Sequence, residues 1–240
     1  MSLFLPMTAD DCSLRQDRID IWEFSLENLP DWAMSIIDEE ERHRAQRFHF
    51  PHHQRRFAVS HAMLRAILGR YLKHPPSELL FTYGSHGKPS VKSLCNLEFN
   101  LTHSGELALL AIGQQFPLGI DIEFFSARPY LGLAKTVFSA LEVAQLSALP
   151  PWMQPLGFFH VWSQKEALIK ACGLGLSYPT KNFEVTVIPP AKTSVEDILH
   201  RKNWQMISFM PKIRCNAALC CDINIQHIRY ICVHPLEFFN

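Results

Sequence analysis

Phe159-His160-Val161-Trp162-Ser163-Gln164-Lys165-Glu166-Ala167-Leu168-Ile169-Lys170 is the stretch that decides how this chain is read. Written as a helix, it places Trp162, Glu166 and Lys170 four residues apart, on one face and one turn above another. Phe158, Val161, Leu168 and Ile169 flank that line with apolar surface. Taken alone, Glu166 and Lys170 are an exposed ion pair between neighbouring turns, worth about 0.2–0.5 kcal/mol. A carboxylate and an ammonium stacked beside a large aromatic are an odd stripe for so apolar a helix, and the residues upstream give the stripe a second meaning.

Leu118 leads into Gly119-Ile120-Asp121-Ile122-Glu123, where strand alternation puts Asp121 and Glu123 on one side and Ile120 and Ile122 on the other. Two neighbouring carboxylates on one strand face repel each other unless a cation stands against them. Hard oxygen ligands suit magnesium. If the helix packs across the strand, Asp121, Glu123 and Glu166 can converge on one magnesium ion that keeps positions open for a pyrophosphate. Arg44, Lys88, Thr102, His103 and Lys170 are then at hand for the remaining phosphate oxygens. This describes metal-assisted phosphoryl chemistry, in which positioning and charge stabilisation supply most of the rate. A D-x-E strand or a histidine after a strand is more often structural. Their joint presence is the signal.

The 240 residues suffice for one large domain or two small ones with a shared core. Hydrophobic residues make up 48% and charged ones 19%, an ordinary globular balance. Twenty-three cationic residues offset 23 acidic ones, so no global field points to nucleic acid or membrane, and any anion site is local. No apolar run approaches the roughly 20 residues that span a bilayer. The opening Met1-Ser2-Leu3-Phe4-Leu5-Pro6 lacks a leader pattern. Seven cysteines (12, 95, 172, 215, 220, 221 and 232) without C-x-x-C spacing read as reduced thiols of a cytoplasmic protein. Five histidines between His43 and His61 lack the convergent spacing of a metal site.

Local signals give an α+β chain. Asp38 with Glu41 is a capping-box pair opening a helix to about Phe48, after which Pro51 is read as a break. Phe57, Leu64, Ile67, Leu68 and Tyr71 recur at helical spacing and predict a helix over 54–72. A strand and turn follow over 79–89, the turn at Gly84-Ser85-His86-Gly87-Lys88-Pro89. Short strands are expected at 99–101 and 107–112, joined through Thr102-His103-Ser104-Gly105, and at 119–123. Ser139 with Glu142 opens another helix to about Leu149, and the helix carrying Glu166 runs over about 155–172 with a glycine exit. Further strands are expected at 183–188, 204–209, 217–222 and 228–233. Both halves offer helices and short strands, so the division is placed near 113–118.

Gly87-Lys88-Pro89, Phe99-Asn100-Leu101-Thr102-His103-Ser104, Gly119-Ile120-Asp121-Ile122-Glu123 and Trp162-Ser163-Gln164-Lys165-Glu166-Ala167-Leu168-Ile169-Lys170, in this order, closely resemble the 4′-phosphopantetheinyl transferases of the surfactin-synthetase-activating (Sfp) type. The resemblance covers about residues 38–179. It implies a pseudodimer of two similar α/β halves with the active site in the cleft between them. Residues 1–117 would supply coenzyme A nucleotide contacts and residues 118–240 the metal and catalytic groups. The implied reaction moves the 4′-phosphopantetheine arm of coenzyme A to a serine of an acyl or peptidyl carrier protein, releasing 3′,5′-adenosine bisphosphate. A chain carrying both halves is expected to act as a monomer.

By the same likeness, Asp121, Glu123 and Glu166 would hold magnesium against the coenzyme A pyrophosphate. Glu166 would also serve as general base for the incoming serine. Lys170 would neutralise or protonate the departing phosphate. His103 and Arg44 match positions that contact the nucleotide 3′-phosphate, and Lys88 and Thr102 match phosphate or adenine contacts. Trp162 is assigned to packing behind the site. One departure stands out: where a second basic residue is common one turn before Arg44, this chain has Glu41, with Arg42 as the nearest substitute. It predicts weaker discrimination between coenzyme A and its 3′-dephospho form. Phe124, Phe125, Tyr130 and Leu131 read equally as a platform for a carrier helix or as core. Two rival functions share the three acids: a magnesium-dependent coenzyme A or nucleotide pyrophosphatase, and a non-catalytic carrier-binding module.

Overall fold

Two β-sheets lie face to face, and each carries a long helix on its outer side. The computed structural model describes residues 3–6, 12–92, 96–127, 129–188 and 192–239. In chain order the first half contains β1 (Leu5–Pro6), β2 (Arg18–Ser25), α1 (Ala33–Ile36), α2 (Glu39–Gln46), α3 (Pro51–Leu72), β3 (Phe81–Tyr83), β4 (Pro89–Val91), β5 (Leu97–Ser104) and β6 (Leu107–Gln114). The second half contains β7 (Gly119–Phe124), α4 (Tyr130–Val137), α5 (Ala140–Ala148), α6 (Gln154–Cys172), β8 (Lys192–Asp197), β9 (Lys202–Phe209), β10 (Cys215–Asp222) and β11 (His227–Cys232). One sheet has the order β1-β11-β2-β6-β5 and the other β7-β10-β9-β8, while β3 and β4 form a separate hairpin. The second sheet is antiparallel throughout, whereas β11 runs parallel to both β1 and β2.

Three apolar layers fix this stack. Met63, Ile67 and Leu68 of α3 pack on Trp22, Phe24, Phe99 and Leu110 of the first sheet. Phe158, Val161 and Leu168 of α6 pack on Trp204, Met206 and Ala218 of the second. Between the sheets, Ile19, Ile21 and Leu109 meet Ile120, Ile122, Ala217 and Leu219. The fold is thus the expected α+β pseudodimer, each half a sheet backed by its own helix, since a sheet with two apolar faces must bury both.

The seam between the halves runs where edge strand β5 lies beside edge strand β7. No ladder joins them; side chains do the pairing. Asn100 Oδ1 accepts the Ile120 N–H at 2.8 Å, and Ser104 Oγ accepts the Phe124 N–H at 3.1 Å. Asn100, Thr102 and Ser104 alternate along β5 and so all face β7. Gly119 begins β7 under α6. A Cβ there would stand 2.1 Å from the Ala167 carbonyl oxygen and 2.3 Å from the Ala171 nitrogen, so only glycine lets helix and strand touch backbone to backbone.

Several local expectations need revision. Pro51 begins α3, within whose first turn its missing N–H leaves nothing unsatisfied. Thr102, His103 and Ser104 belong to β5, and the hairpin turns at Gly105 and Glu106 instead. Residues 183–188 are not a strand, although Phe183, Val185 and Val187 are buried. Their polar backbone is taken by side chains: Lys165 Nζ donates to the Phe183 carbonyl, Gln164 Nε2 to that of Thr186, and Glu142 Oε1 accepts the Val185 N–H. With those groups satisfied, no ladder is required. The last strand, β11, crosses back to the first sheet and pairs with β2.

Candidate active site

Helix α6 starts with a proline in its first turn and ends at Gly173, whose φ of 70° is the left-handed closing conformation. From Gly157 to Ala171 every residue is buried except Trp162, Glu166 and Lys170. The stripe read from the sequence is therefore the strip that reaches solvent between Gly157 and Ala171. Trp162 stacks on Phe158, with ring centroids 5.6 Å apart, and serves as packing. Glu166 and Lys170 instead line a cavity of about 290 Å³, together with His86, Lys88, Asn100, Gly173 and Gly175.

Beneath that cavity Asp121 is almost fully buried. Lys170 Nζ donates to its Oδ1 at 2.6 Å, to Thr102 Oγ1 at 3.1 Å and to the Ile120 carbonyl at 3.3 Å. Thr102 Oγ1 in turn donates a hydrogen bond to the same carboxylate oxygen at 3.3 Å. Ser104 Oγ donates to Glu123 Oε2 at 3.3 Å. The other oxygen of Asp121, Oδ2, is buried and has no hydrogen-bond partner. Desolvation raises the Asp121 pKa, with Lys170 opposing it. Desolvation also raises that of Glu166, and the negative charges of Asp121 and Glu123 add to the effect.

Lys170 is bonded to one oxygen of Asp121 and leaves the other without a donor. A buried carboxylate oxygen with no donor, and a second carboxyl whose pKa is raised by two like charges, suit a hard divalent ion such as magnesium. The donor set fits: carboxylates only, next to a cavity with room for ligand oxygens. In the arrangement described, the oxygens of Asp121, Glu123 and Glu166 have not drawn together within 4.8 Å of one another.

The cationic residues divide into two groups. Lys88 sits at the cavity wall, its Nζ donating to the carbonyls of Leu118 and Ala171 at 3.0 and 3.1 Å. His103 faces α3; burial first, then the positive charges of Arg56, Lys170, His61 and His53, push its pKa down. Arg44 stands apart from the cavity, its guanidinium carbon 5.2 Å from the centroid of the Phe57 ring. Arg56 and His61 also stand near His103; Arg56 donates to Glu106 at 2.7 Å and His61 lies 2.8 Å from Glu41. Asn100 and Ser104, which flank Thr102 at strand spacing, stitch the seam on which the site is built.

Glu41 is held by structural partners. It completes the capping box with Asp38 and accepts from the fully buried Arg65 at 2.6 Å and from His61 at 2.8 Å. Its desolvation is outweighed by His61 and Arg65, which hold the carboxyl below the usual range. A lysine or arginine here would face Arg65 in a buried space, so such a replacement reports on folding before it reports on phosphate recognition.

Lys165, also unassigned in the sequence reading, is buried. Its Nζ reaches Glu142 Oε2 at 2.8 Å and the carbonyls of Thr180 and Phe183 at 2.7 and 2.8 Å. It ties α5 and the segment after α6 to the back of the helix.

Among the described residues, the His43–His61 segment forms no convergent metal group. Six cysteines are free thiols; Cys95 lies outside the described residues. No described helix is long and apolar enough to cross a membrane.

Fold and site together define a two-sheet α+β protein whose seam sets clustered carboxylates beside a row of cations. Two family models match it: the 4′-phosphopantetheinyl transferase superfamily over residues 117–219, and the 4′-phosphopantetheinyl transferase N-terminal model over residues 21–115. The chain is 35% identical to the 4′-phosphopantetheinyl transferase HetI of Nostoc sp. (strain PCC 7120), across 86% of this chain and 89% of that one. It is 34% identical to Sfp of Bacillus subtilis (strain 168), across 68% and 72% of the two chains. The mouse L-aminoadipate-semialdehyde dehydrogenase-phosphopantetheinyl transferase is 29% identical over 70% of this chain. The chain belongs to the 4′-phosphopantetheinyl transferase family.

Proposed function

We propose that this protein transfers the 4′-phosphopantetheine arm of coenzyme A to a serine of an acyl or peptidyl carrier protein, with 3′,5′-adenosine bisphosphate as the second product. The observation that carries the reading is the unpartnered Asp121 oxygen beside Glu166 and Lys170, under a cavity sized for a ligand. Asp121, Glu123 and Glu166 would hold magnesium, which when bound offsets the charge of the pyrophosphate. Glu166 takes the proton of the serine hydroxyl; its raised pKa suits a group that must accept one. The serine oxygen bonds to the phosphorus bearing the pantetheine arm as the bond from that phosphorus to the bridging oxygen breaks. Lys170 stands where the departing oxygen gathers negative charge. Thr102 and Asp121 aim its ammonium group.

In this reading residues 1–117 offer the nucleotide contacts and residues 118–240 the acids, with β11 lent back to the first sheet. Lys88 and Thr102 serve the phosphates, and His103 and Arg44, joined by Arg56 and His61, the 3′-phosphate. The protein would act as a monomer in the cytoplasm, a setting in keeping with its free thiols.

Intact-mass measurement on an apo carrier protein incubated with this protein, coenzyme A and magnesium should show the gain of one phosphopantetheine, abolished by chelator. Coenzyme A consumption without any carrier adduct would hand the site to a hydrolase. Among variants, His103→Ala and Arg44→Ala should each narrow the kcat/KM preference for coenzyme A over its 3′-dephospho form. Loss of a charge-assisted hydrogen bond, about 1.5–3 kcal/mol, makes that roughly a tenfold effect or more. An unchanged preference in both would remove these residues from the 3′-phosphate.

A further inference from the structure

Helix α6 ends on Cys172, six residues past Glu166, and there meets a second group of side chains that the transfer chemistry does not use. Asp197, at the end of β8, has a fully buried side chain. Its Oδ1 accepts the Tyr178 hydroxyl at 2.5 Å and the His200 backbone N–H at 3.2 Å. Its Oδ2 faces His200 Nδ1 at 2.7 Å, Cys172 Sγ at 3.4 Å and Trp204 Nε1 at 3.3 Å. One ligand atom each from Cys172, Asp197 and His200 lies within 4.8 Å of the others.

We propose that Cys172, Asp197 and His200 form a metal site of their own, for a zinc ion, with a water in the fourth position. Thiolate, imidazole and carboxylate are the three donor types that zinc takes in tetrahedral sites, and magnesium, which wants oxygen, does not take sulfur. The outer support is already in place. Tyr178 and the His200 N–H hold Oδ1, while Trp204 holds Oδ2 from the side, so the carboxylate stays aimed when an ion arrives.

Charge and proton balance work out simply. The ion displaces two of the three hydrogens that point at Oδ2, those of Cys172 and His200, and leaves that of Trp204 in place. The Cys172 S–H bond breaks and its proton leaves to solvent, while the His200 ring proton moves from Nδ1 to Nε2 and frees the Nδ1 lone pair. Thiolate, carboxylate and dication then sum to zero, which suits a buried place. Against desolvation, the hydrogen bonds of Tyr178 and His200 hold the Asp197 carboxyl down at about 2, so this ligand is ionised beforehand. Burial, with Asp197 next to it, pushes the Cys172 thiol up to about 12, and a bound dication reverses that. The same value argues against a nucleophilic role for Cys172. Nearby cations are occupied: Lys202 Nζ sits 3.0 Å from Asp222 Oδ2, and Lys88 donates to two carbonyls. The His200 side chain, 40% exposed, is the way in.

An ion here would pin the end of α6 to the β8–β9 turn and so brace Gly173 and Gly175 in the cavity wall. The inference does not depend on the reading of the carboxylate site, and its test need not measure transfer. Cobalt(II) titrated into the purified protein should give a thiolate-to-cobalt charge-transfer band and tetrahedral d–d bands at one ion per chain, displaced by one equivalent of zinc. Cys172→Ser should abolish the charge-transfer band. Release of one proton makes apparent affinity rise about tenfold per pH unit below the thiol pKa. Zinc should raise the melting temperature of the wild type more than that of His200→Ala, whose exposed side chain makes that variant safe to fold. Absence of the band in the wild type, its persistence in Cys172→Ser, or an equal zinc shift in His200→Ala would overturn the site.

Discussion

Glu166→Gln should lower kcat for carrier loading by about 10²–10⁴-fold, the range for losing a positioned general base, while leaving the protein at least as stable as the wild type. The two halves of that result have one cause. Glu166 sits half-buried on the solvent-reaching strip of α6, and desolvation together with Asp121 and Glu123 raises its pKa. An acid whose folded-state pKa is raised contributes stability that is complete below its unfolded pKa and lost as pH rises through the folded one. Near neutral pH the wild type therefore bears the cost of an ionised Glu166, and glutamine removes it. The melting temperature in chelator should be unchanged or higher for the variant, and the gap should close as pH falls through the acidic range. Magnesium should shift the variant's melting temperature less than the wild type's, since one charged ligand has gone. Near-normal turnover in Glu166→Gln would mean that this face of α6 does not do the chemistry.

The same strip of helix shows why much of this protein was readable from its sequence. Trp162, Glu166 and Lys170 are four apart, and helical geometry alone puts them on one line. What their neighbours bury decides that the line faces outward. The capping pairs Asp38/Glu41 and Ser139/Glu142 likewise close where the local rule places them, because each satisfies its own backbone N–H groups. Reading failed where a segment's partner is remote. Thr102, His103 and Ser104 look like a polar turn before Gly105, yet they are strand because β6 lies on one side and β7 on the other. Residues 183–188 alternate like a strand, but Lys165, Gln164 and Glu142 take their backbone groups first. The pairing of Glu41 with Arg65, 24 residues away, is likewise invisible to a local pattern. In each case long-range contacts outweighed local pattern.

Lys170→Met should cost about 3–5 kcal/mol of stability, the range for removing one partner of a buried ion pair, in addition to abolishing transfer. Lys170 is the cation bonded to Asp121, with Nζ 2.6 Å from Oδ1, and its removal leaves Asp121 with a carboxylate almost fully shielded from water. Desolvation already raises the Asp121 pKa, and Lys170 is the foremost charge opposing it. Without the lysine the pKa rises further. By the sign rule above, the variant keeps its stability in acid, where Asp121 is protonated, and loses it as pH climbs toward neutrality. Magnesium offers Asp121 a replacement charge, so it should stabilise Lys170→Met more than it stabilises the wild type. Two further melting curves separate this from generic damage to the helix. Adding Asp121→Asn to the variant should restore most of the stability without metal, since no buried charge is then left unpaired, and the double-mutant cycle should show coupling well above 1 kcal/mol. If Lys170→Met melts as the wild type does at neutral pH, or if Asp121→Asn fails to rescue it, then Lys170 and Asp121 are not an energetic pair. In that event the lysine would be free to move with the leaving group instead of being held beside the metal ligands. The measured coupling thus decides between a fixed electrostatic clamp and a mobile proton donor at the same atom.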